Sequence, residues 1–131
     1  MIVDTSALVA VLTGEPDAEA HLAAMASADE LAVSAATLVE AGVVLVVKQG
    51  REAFEDLQSL LAELEVAVIG FDEEQALLAI RAWERFGRGR HPAALTLGDL
   101  FAYAAAQRDG QELLFKGNDF SHTDATPALD D

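Results

Sequence analysis

The chain has 131 residues, and its 23 Asp and Glu against 8 Lys and Arg give a formal net charge of -15. A hydrophobic content of 52% with 24% charged residues excludes a disordered acidic tail. We expect one domain over residues 1–131, because a chain of this size buries about two-thirds of its unfolded surface around a single core. The absence of cysteine excludes disulfides and thiolate metal sites and fits a reducing compartment.

The charge and the apolar segments also limit what the chain can associate with. Proteins that bind nucleic acids usually carry a basic surface, so this acidic balance argues against tight, purely electrostatic RNA or DNA binding and favours cation binding. The longest apolar stretch near the middle, residues 43–47, is far shorter than the roughly 18 residues of a membrane span. Asp4 lies where a signal peptide would be basic, so we expect a cytoplasmic protein.

The hydrophobic pattern predicts four strands with helices between them. We expect the strands at residues 1–3, 31–34, 66–69 and 112–115. We expect the helices at residues 6–12, 17–28, 35–49, 51–63, 76–86 and 97–108. Because helices connect the strands, the sequence predicts an α/β fold with a mainly parallel sheet of four or five strands, flanked by helices on both faces. Asp130 and Asp131 form a polar tail that we expect to fray.

Acidic or amide side chains follow the first and the last predicted strand. Asp4 comes directly after the first strand, and Asn118 and Asp119 follow the last one. In parallel sheets the binding site lies beyond the carboxyl ends of the strands, where these residues meet. A helix N-cap for Asp4 and a turn for Asn118 and Asp119 are the structural alternatives.

Two further acids lie on predicted helices. Glu40 occurs in an otherwise apolar segment, and a helix that is apolar all round is expected to be buried. A buried carboxylate must be protonated, metal-bound or paired with a base, for which Lys48 is the nearest choice along the chain. Asp99 lies in the first turn of the last helix, where an acid also complements the helix dipole.

These acids can converge at one edge of the sheet. Each pair of carboxylates 4 Å apart would repel by about 4 kcal/mol at an effective dielectric near 20, which a bound cation relieves. Oxygen ligands select hard ions, so we expect Mg²⁺ or Mn²⁺ rather than Zn²⁺. Such ions, held by carboxylates beside a phosphate, catalyse phosphodiester hydrolysis.

Four motifs occur in order along nearly the whole chain. They are MIVDTSA at residues 1–7, SAATLVEAG at 34–42, GDLFAYA at 98–104 and LFKGNDF at 114–120. Together they resemble the PIN-domain ribonucleases, and in particular the VapC-type toxins of bacterial toxin–antitoxin pairs. The resemblance implies a PIN-like fold. It also implies a homodimer, restrained by a small antitoxin protein whose tail enters the active-site groove.

The resemblance also implies a Mg²⁺-dependent endoribonuclease that leaves a 5′-phosphate. By position, Asp4, Glu40 and Asp99 match the acidic metal site of the family. Many relatives have the fourth acid in the turn after the last strand, where this chain has Asn118 followed by Asp119. If Asn118 is the equivalent residue, the site has one charge fewer and a single metal ion is favoured over two.

Two other groups of residues have both a functional and a structural interpretation. Thr5 and Ser6 could orient a metal-bound water or a phosphate, or cap the first helix. Four arginines fall within ten positions, and three of them share helical spacing, so they could grip an RNA backbone or serve as solubilising surface charge. The four are Arg81, Arg85, Arg88 and Arg90.

Two alternative functions stay open on the sequence alone. An α/β phosphotransfer or phosphatase domain would use Asp4 and Lys116 in aspartyl-phosphate chemistry, but it leaves Glu40 unexplained. A non-catalytic PIN-like interaction module would retain the fold with a decayed site, and Asn118 is the feature that favours it.

Overall fold

The computed structural model describes residues 1–129 as a parallel sheet flanked by helices. The strands are β1 (Ile2–Val3), β2 (Ala32–Ser34), β3 (Ala67–Ile69) and β4 (Leu113–Leu114), paired in the order β3-β2-β1-β4. The helices are α1 (Thr5–Leu12), α2 (Ala18–Ser27), α3 (Ala35–Gln49), α4 (Arg51–Glu63), α5 (Glu73–Phe86) and α6 (Leu97–Asp109). The predicted fold class is confirmed with four strands, and each predicted element is present. The tail expected to fray, Asp130 and Asp131, lies outside the described residues.

Neighbouring residues of each strand point to opposite faces of the sheet, and each face has its own core. Ile2 and Leu113 pack with α5 and α6 on one face. Val3 and Leu114 pack with α1, α2, α3 and α4 on the other. This alternation is the period-two geometry of a strand, and it buries β1 and β4 on both sides as expected for parallel strands, whereas the edge strand β3 is largely exposed.

The helix α3 differs from the sequence expectation, because it is not buried all round. Ala41 and Leu45 are buried, but Val39 is 67% and Val47 80% exposed. The helix packs one side against α1, α4 and α6 and turns its other apolar side to solvent. Glu40 is therefore only partly buried. None of the helices in residues 1–129 is long and apolar enough to cross a membrane.

The helix α5 has its carboxyl end where it was predicted, which leaves Arg88 outside the helix. It ends at Phe86, so the helical spacing expected for Arg81, Arg85 and Arg88 is wrong for Arg88. Beyond the helix, the Arg88 backbone N–H donates to the Leu95 carbonyl at 3.0 Å. This bond closes the loop that connects α5 to α6 and removes Arg88 from the helix surface.

Candidate metal centre

Asp4 follows β1 directly and is the most buried acid of the site. Its backbone N–H donates to the Leu114 carbonyl of β4 at 2.9 Å, which holds Asp4 at the carboxyl edge of the sheet. Its Oδ2 accepts the backbone N–H and the hydroxyl of Ser6 at 3.0 and 2.6 Å, so Asp4 also caps α1. Its Oδ1 is buried and has no hydrogen-bond partner in the described part of the chain. Since buried polar atoms are normally bonded, this oxygen is available to a cation.

The electrostatic setting of Asp4 also favours a cation. Burial raises the pKa of the Asp4 carboxyl to about 7, although the Ser6 hydrogen bonds lower it. The negative charges of Asp99 and Glu40 raise this pKa further. Three sequence-predicted acids, from the end of β1, from α3 and from α6, are therefore close enough to interact. A nearby positive charge would favour the ionised form of Asp4.

The Glu40 carboxylate contacts the first turns of α1 and α6. The Thr5 hydroxyl donates to its Oε1 at 2.5 Å. On the other side, the carboxylate lies against Gly98, where a side chain would overlap it. The hydrogen-bond partner of the Glu40 carboxylate is thus the Thr5 hydroxyl. Lys48, the base expected from the sequence, is exposed two turns along α3.

Asp99 is the third residue of α6 and closes the first turn of that helix. Its Oδ2 accepts the Thr96 backbone N–H at 2.9 Å, which is one of the two reciprocal bonds of a capping box, and it also accepts the Thr96 hydroxyl at 3.0 Å. Burial raises the pKa of the Asp99 carboxyl, although the hydrogen bonds from Thr96 lower it. The charges of Asp119 and Glu40 raise this pKa further. Asp99 therefore caps a helix and belongs to the acidic cluster at the same time.

The loop after β4 brings a further acid into electrostatic range of Asp99. Asp119 is exposed, and its charge acts on Asp99. Asn118 is also exposed, and its backbone carbonyl accepts the Ser121 N–H at 3.1 Å in a turn. The charge of Asp119 thus acts on the cluster from the segment where the fourth position was expected.

The donor set suits a hard divalent ion. All of the donors are oxygens, which Mg²⁺ and Mn²⁺ prefer. No three Asp, Glu or His side chains within residues 1–129 are spaced to hold one metal ion as they stand. Mg²⁺ usually keeps several water ligands and needs only one or two carboxylates. The buried, unbonded Oδ1 of Asp4 with one neighbouring carboxylate therefore fits such an ion.

Two features of the site were not expected from the sequence. The Lys116 backbone N–H donates to Ser6 Oγ at 2.9 Å, which joins the loop after β4 to the residue that holds Asp4. Gly98 leaves the space that the Glu40 carboxylate occupies. A glycine in the first turn of a helix, where alanine is a better helix former, is the signal that could have revealed Gly98. The pairing of Ser6 with Lys116 joins residues 110 apart and leaves no such signal.

Two of the four arginines have protein partners. Arg85 forms an ion pair with Asp124 at 3.4 Å, with both side chains about half exposed. Arg90 stacks on Trp83, with its guanidinium carbon 4.9 Å from the ring centroid. These contacts hold both side chains on the surface of α5 and the loop after it.

Arg88 lies in mostly apolar surroundings near the start of α6. Together with Thr96 and Leu97, it lines an open groove between α5 and α6. Thr96 in turn holds Asp99. Arg81 is exposed on α5. The groove thus connects Arg88 to Thr96, the residue that bonds Asp99.

Comparison with known proteins identifies the family. The PIN domain family model matches residues 1–126. Ribonuclease VapC28 of Mycobacterium tuberculosis is 46% identical to the chain, over 99% of this chain and 98% of the relative. Among solved structures, VapC20 of Mycobacterium tuberculosis, described as a sarcin-ricin loop cleaving toxin, superposes with a TM-score of 0.75 at 19% identity, over 92% of each chain. A toxin–antitoxin complex from Klebsiella pneumoniae gives a TM-score of 0.71 at 19% identity, over 98% of this chain and 97% of that one.

The chain therefore belongs to the PIN-domain family and to its VapC ribonucleases. The family and the nuclease class expected from the four motifs are confirmed, and the phosphotransfer alternative has no support. Lys116, which that alternative required, has its ammonium paired with Glu15 at 3.0 Å and Asp17 at 3.2 Å. VapC ribonucleases of this family are metal-dependent in general.

Proposed function

We propose that the chain is a Mg²⁺-dependent endoribonuclease and the toxin of a toxin–antitoxin pair. Its metal-binding and catalytic carboxylates are Asp4, Glu40, Asp99 and Asp119. The observation that carries this proposal is the buried Asp4 at the end of β1, with Oδ1 unbonded and the charges of Asp99 and Glu40 nearby. Mn²⁺ is the alternative ion, because the same oxygen donors suit both.

Asp4, Asp99 and Glu40 divide two tasks in phosphodiester hydrolysis. Asp4 and Asp99 would hold the ion, which when bound lowers the pKa of the attacking water and offsets the charge of the phosphate. Glu40 is partly exposed beside them and can accept the proton of that water. The hydroxyls of Thr5 and Ser6 are engaged by Glu40 and Asp4, so we assign them to positioning these carboxylates rather than to contacting the substrate.

The substrate and the protein partners follow from the charge and from the exposed apolar surface. Arg88, which lines the groove between α5 and α6, would contact the RNA backbone, and its charge offsets locally the net charge of -15. A basic antitoxin tail complements the same acidic site. Val39 and Val47 on α3 and Leu97 beside the α5–α6 groove are exposed apolar residues, and these faces provide area for the antitoxin and for a second copy in a homodimer.

Cleavage of RNA with and without the ion tests the activity. The wild-type chain should cleave RNA in Mg²⁺ and lose activity in EDTA. Asp4→Asn and Asp99→Asn should each lose more than about 100-fold, beyond the 10–100-fold typical of residues that only support a ligand. Asp56→Asn, on the exposed face of α4, should retain full activity.

The outcomes separate the competing functions. Full activity in both Asp4→Asn and Asp99→Asn would overturn the assigned site. A wild-type chain that neither cleaves RNA nor binds Mg²⁺ or Mn²⁺ in calorimetry, yet binds a protein partner, would instead be a non-catalytic PIN-like module. Growth arrest on expression of the wild-type chain, relieved by a protein encoded beside it, would support the toxin role.

A further inference from the structure

Gly98 is the second residue of α6, and its backbone gives no reason for a glycine. The glycines with positive φ are Gly14, Gly50, Gly89, Gly110 and Gly117, and Gly98 is not among them. Its conformation is one that any residue adopts in a helix. Alanine is a better helix former than glycine, so local helix propensity opposes the residue that is present.

The reason for the glycine lies in the space beside it. A Cβ at position 98 would overlap the Cδ, Oε1 and Oε2 atoms of Glu40. At two other glycines an added Cβ would instead contact an aromatic residue, which is Phe54 for Gly42 and Trp83 for Gly87. Among the glycines of the chain, Gly98 is the one whose missing side chain is replaced by a carboxylate.

The Glu40 carboxylate is also held from its other side. The Thr5 hydroxyl donates to Oε1 at 2.5 Å. A side chain at position 98 would push the carboxylate away from α6 and stretch or break this bond. Because α6 presents the positive end of its dipole here, displacement would also remove the carboxylate from a favourable field.

We propose that Gly98 is a positioning residue of the metal site. Its lack of a side chain lets the Glu40 carboxylate lie against the first turn of α6, beside Asp99 and within range of Asp4. Residue 98 thus sets how closely the acid from α3 approaches the acids from β1 and α6. The consequence for metal binding rests on the proposed function, whereas the contact itself does not.

The contact is tested without metal by a double-mutant cycle in melting temperature. Gly98→Ala should lower the Tm of the metal-free chain or leave it unchanged, because the clash opposes the gain in helix propensity. In the Glu40→Ala background the clash partner is absent, so the same substitution should raise the Tm by about 3 °C. Gly70→Ala is the control for an added methyl group away from the site, since Gly70 lies outside the helices and strands, with open space and no positive φ.

The consequence for the site is tested by Mn²⁺ binding, followed by calorimetry and by the electron paramagnetic resonance spectrum of the ion. Gly98→Ala should weaken Mn²⁺ binding by about tenfold or more, the range typical of residues that orient a ligand. Gly70→Ala should change it by less than about twofold. In the Glu40→Asp background, whose side chain is one methylene shorter and reaches less far toward position 98, Gly98→Ala should cost markedly less Mn²⁺ affinity than in the wild type.

These measurements distinguish failure of the proposal from failure of the proposed function. Equal effects of Gly98→Ala on Tm in the wild-type and Glu40→Ala backgrounds would overturn the contact. An equal loss of Mn²⁺ affinity in the wild-type and Glu40→Asp backgrounds, or no loss in either, would overturn the positioning role. If the wild type binds neither Mn²⁺ nor Mg²⁺, the proposed function fails, and the Tm cycle still decides whether Gly98 places Glu40.

Discussion

Ser6 holds the Asp4 carboxylate through two groups, its backbone N–H at 3.0 Å and its hydroxyl at 2.6 Å, both on the same oxygen, Oδ2. The hydroxyl also accepts the Lys116 backbone N–H at 2.9 Å. Because both Ser6 donors use Oδ2, the Oδ1 of Asp4 is left without a protein partner in the described residues. One serine therefore orients the most buried acid and connects it to the loop that carries Asp119.

Removal of the Ser6 hydroxyl should weaken both the fold and the site. Ser6→Ala deletes a donor to Asp4 and an acceptor for Lys116, which should cost about 1–2 kcal/mol in the free energy of unfolding measured in urea. Mn²⁺ affinity should fall as well, since the Asp4 carboxylate loses a bond that orients it. Ser59→Ala, on the exposed face of α4, is the control and should be near neutral. Indistinguishable results for the two variants would contradict this role of Ser6.

Without metal, the contribution of Asp4 to stability should fall as the pH rises. The pKa of this carboxyl is about 7 in the folded chain, against 3.8 for an aspartate exposed to water, so between these values the folded state binds more protons than the unfolded state. Stability then decreases with pH across this window, and the full effect above pH 7 is about 4 kcal/mol. The raised pKa of Asp99 acts in the same direction.

The measurement is urea unfolding in EDTA between pH 4 and pH 8, for the wild type and for Asp4→Asn. The difference in unfolding free energy between the two chains separates the effect of Asp4 titration from that of the surface carboxylates, which both chains share. Asp4→Asn should become the more stable chain toward pH 8, because an amide has no charge to bury. A difference that stays constant over the whole range would show that Asp4 does not titrate in this window.

Mg²⁺ should stabilise the wild-type chain more at pH 8 than at pH 5. At pH 5 the ion must displace a proton from Asp4, whereas at pH 8 it binds the ionised carboxylate directly. The check is the Tm with and without Mg²⁺ at both values of pH. Asp4→Asn should show little Mg²⁺ dependence at either. An increase in Tm that is the same at pH 5 and pH 8 would contradict binding at Asp4.

Thr5 should matter for the site through its hydroxyl alone. Thr5→Val keeps the shape but cannot donate to Glu40 Oε1, so we expect Mn²⁺ affinity to fall several-fold. Thr5→Ser keeps the hydroxyl and should remain within about twofold of the wild type. Calorimetry of the two variants measures the difference. Equal losses in both would indicate that the methyl group, rather than the donor, is what the site requires.

Most of the fold could be predicted from the sequence because the pattern of apolar residues follows secondary structure closely. Alternation in β1 and β4 sends Ile2 and Leu113 to one face and Val3 and Leu114 to the other. The burial of α3 could not be predicted in this way. Apolar residues such as Val47 also occur on a side that no element of residues 1–129 covers, and hydropathy alone does not separate the two sides.

The acids of the site could be predicted from residue type and position, but their supports could not. Asp4 and Asp99 stand out at a strand end and at a helix start. The contact of Glu40 with Gly98 depends on how α3 and α6 pack, and that arrangement follows from the whole core. The same is true of the bond from Lys116 to Ser6. A sequence pattern does not reveal these two contacts, because each one joins segments that are far apart along the chain.

Asp119 should be the fourth acid, and Asn118 should not be a ligand. Asp119→Asn removes the charge that raises the pKa of Asp99, so that pKa should fall while Mn²⁺ affinity drops several-fold. Asn118→Asp is the converse change, because it adds a carboxylate to the loop from which Asp119→Asn removes one. If position 118 faced the ion, this variant should bind Mn²⁺ more tightly than the wild type, and we expect no such gain. A tighter site in Asn118→Asp with no loss in Asp119→Asn would reverse the assignment.

Arg88 should supply a phosphate contact, because it lines the groove that leads to the start of α6. RNA affinity is best measured in the Asp99→Asn background, where cleavage is prevented. There Arg88→Gln should weaken binding and reduce the slope of log K against log salt concentration by about 0.7, the value for one contact to a single-stranded phosphate. Arg51→Gln is the control, since Arg51 is exposed at the start of α4 on the opposite face of the sheet. The two slopes would agree if Arg88 served only as surface charge, because a general change in net charge affects both variants equally.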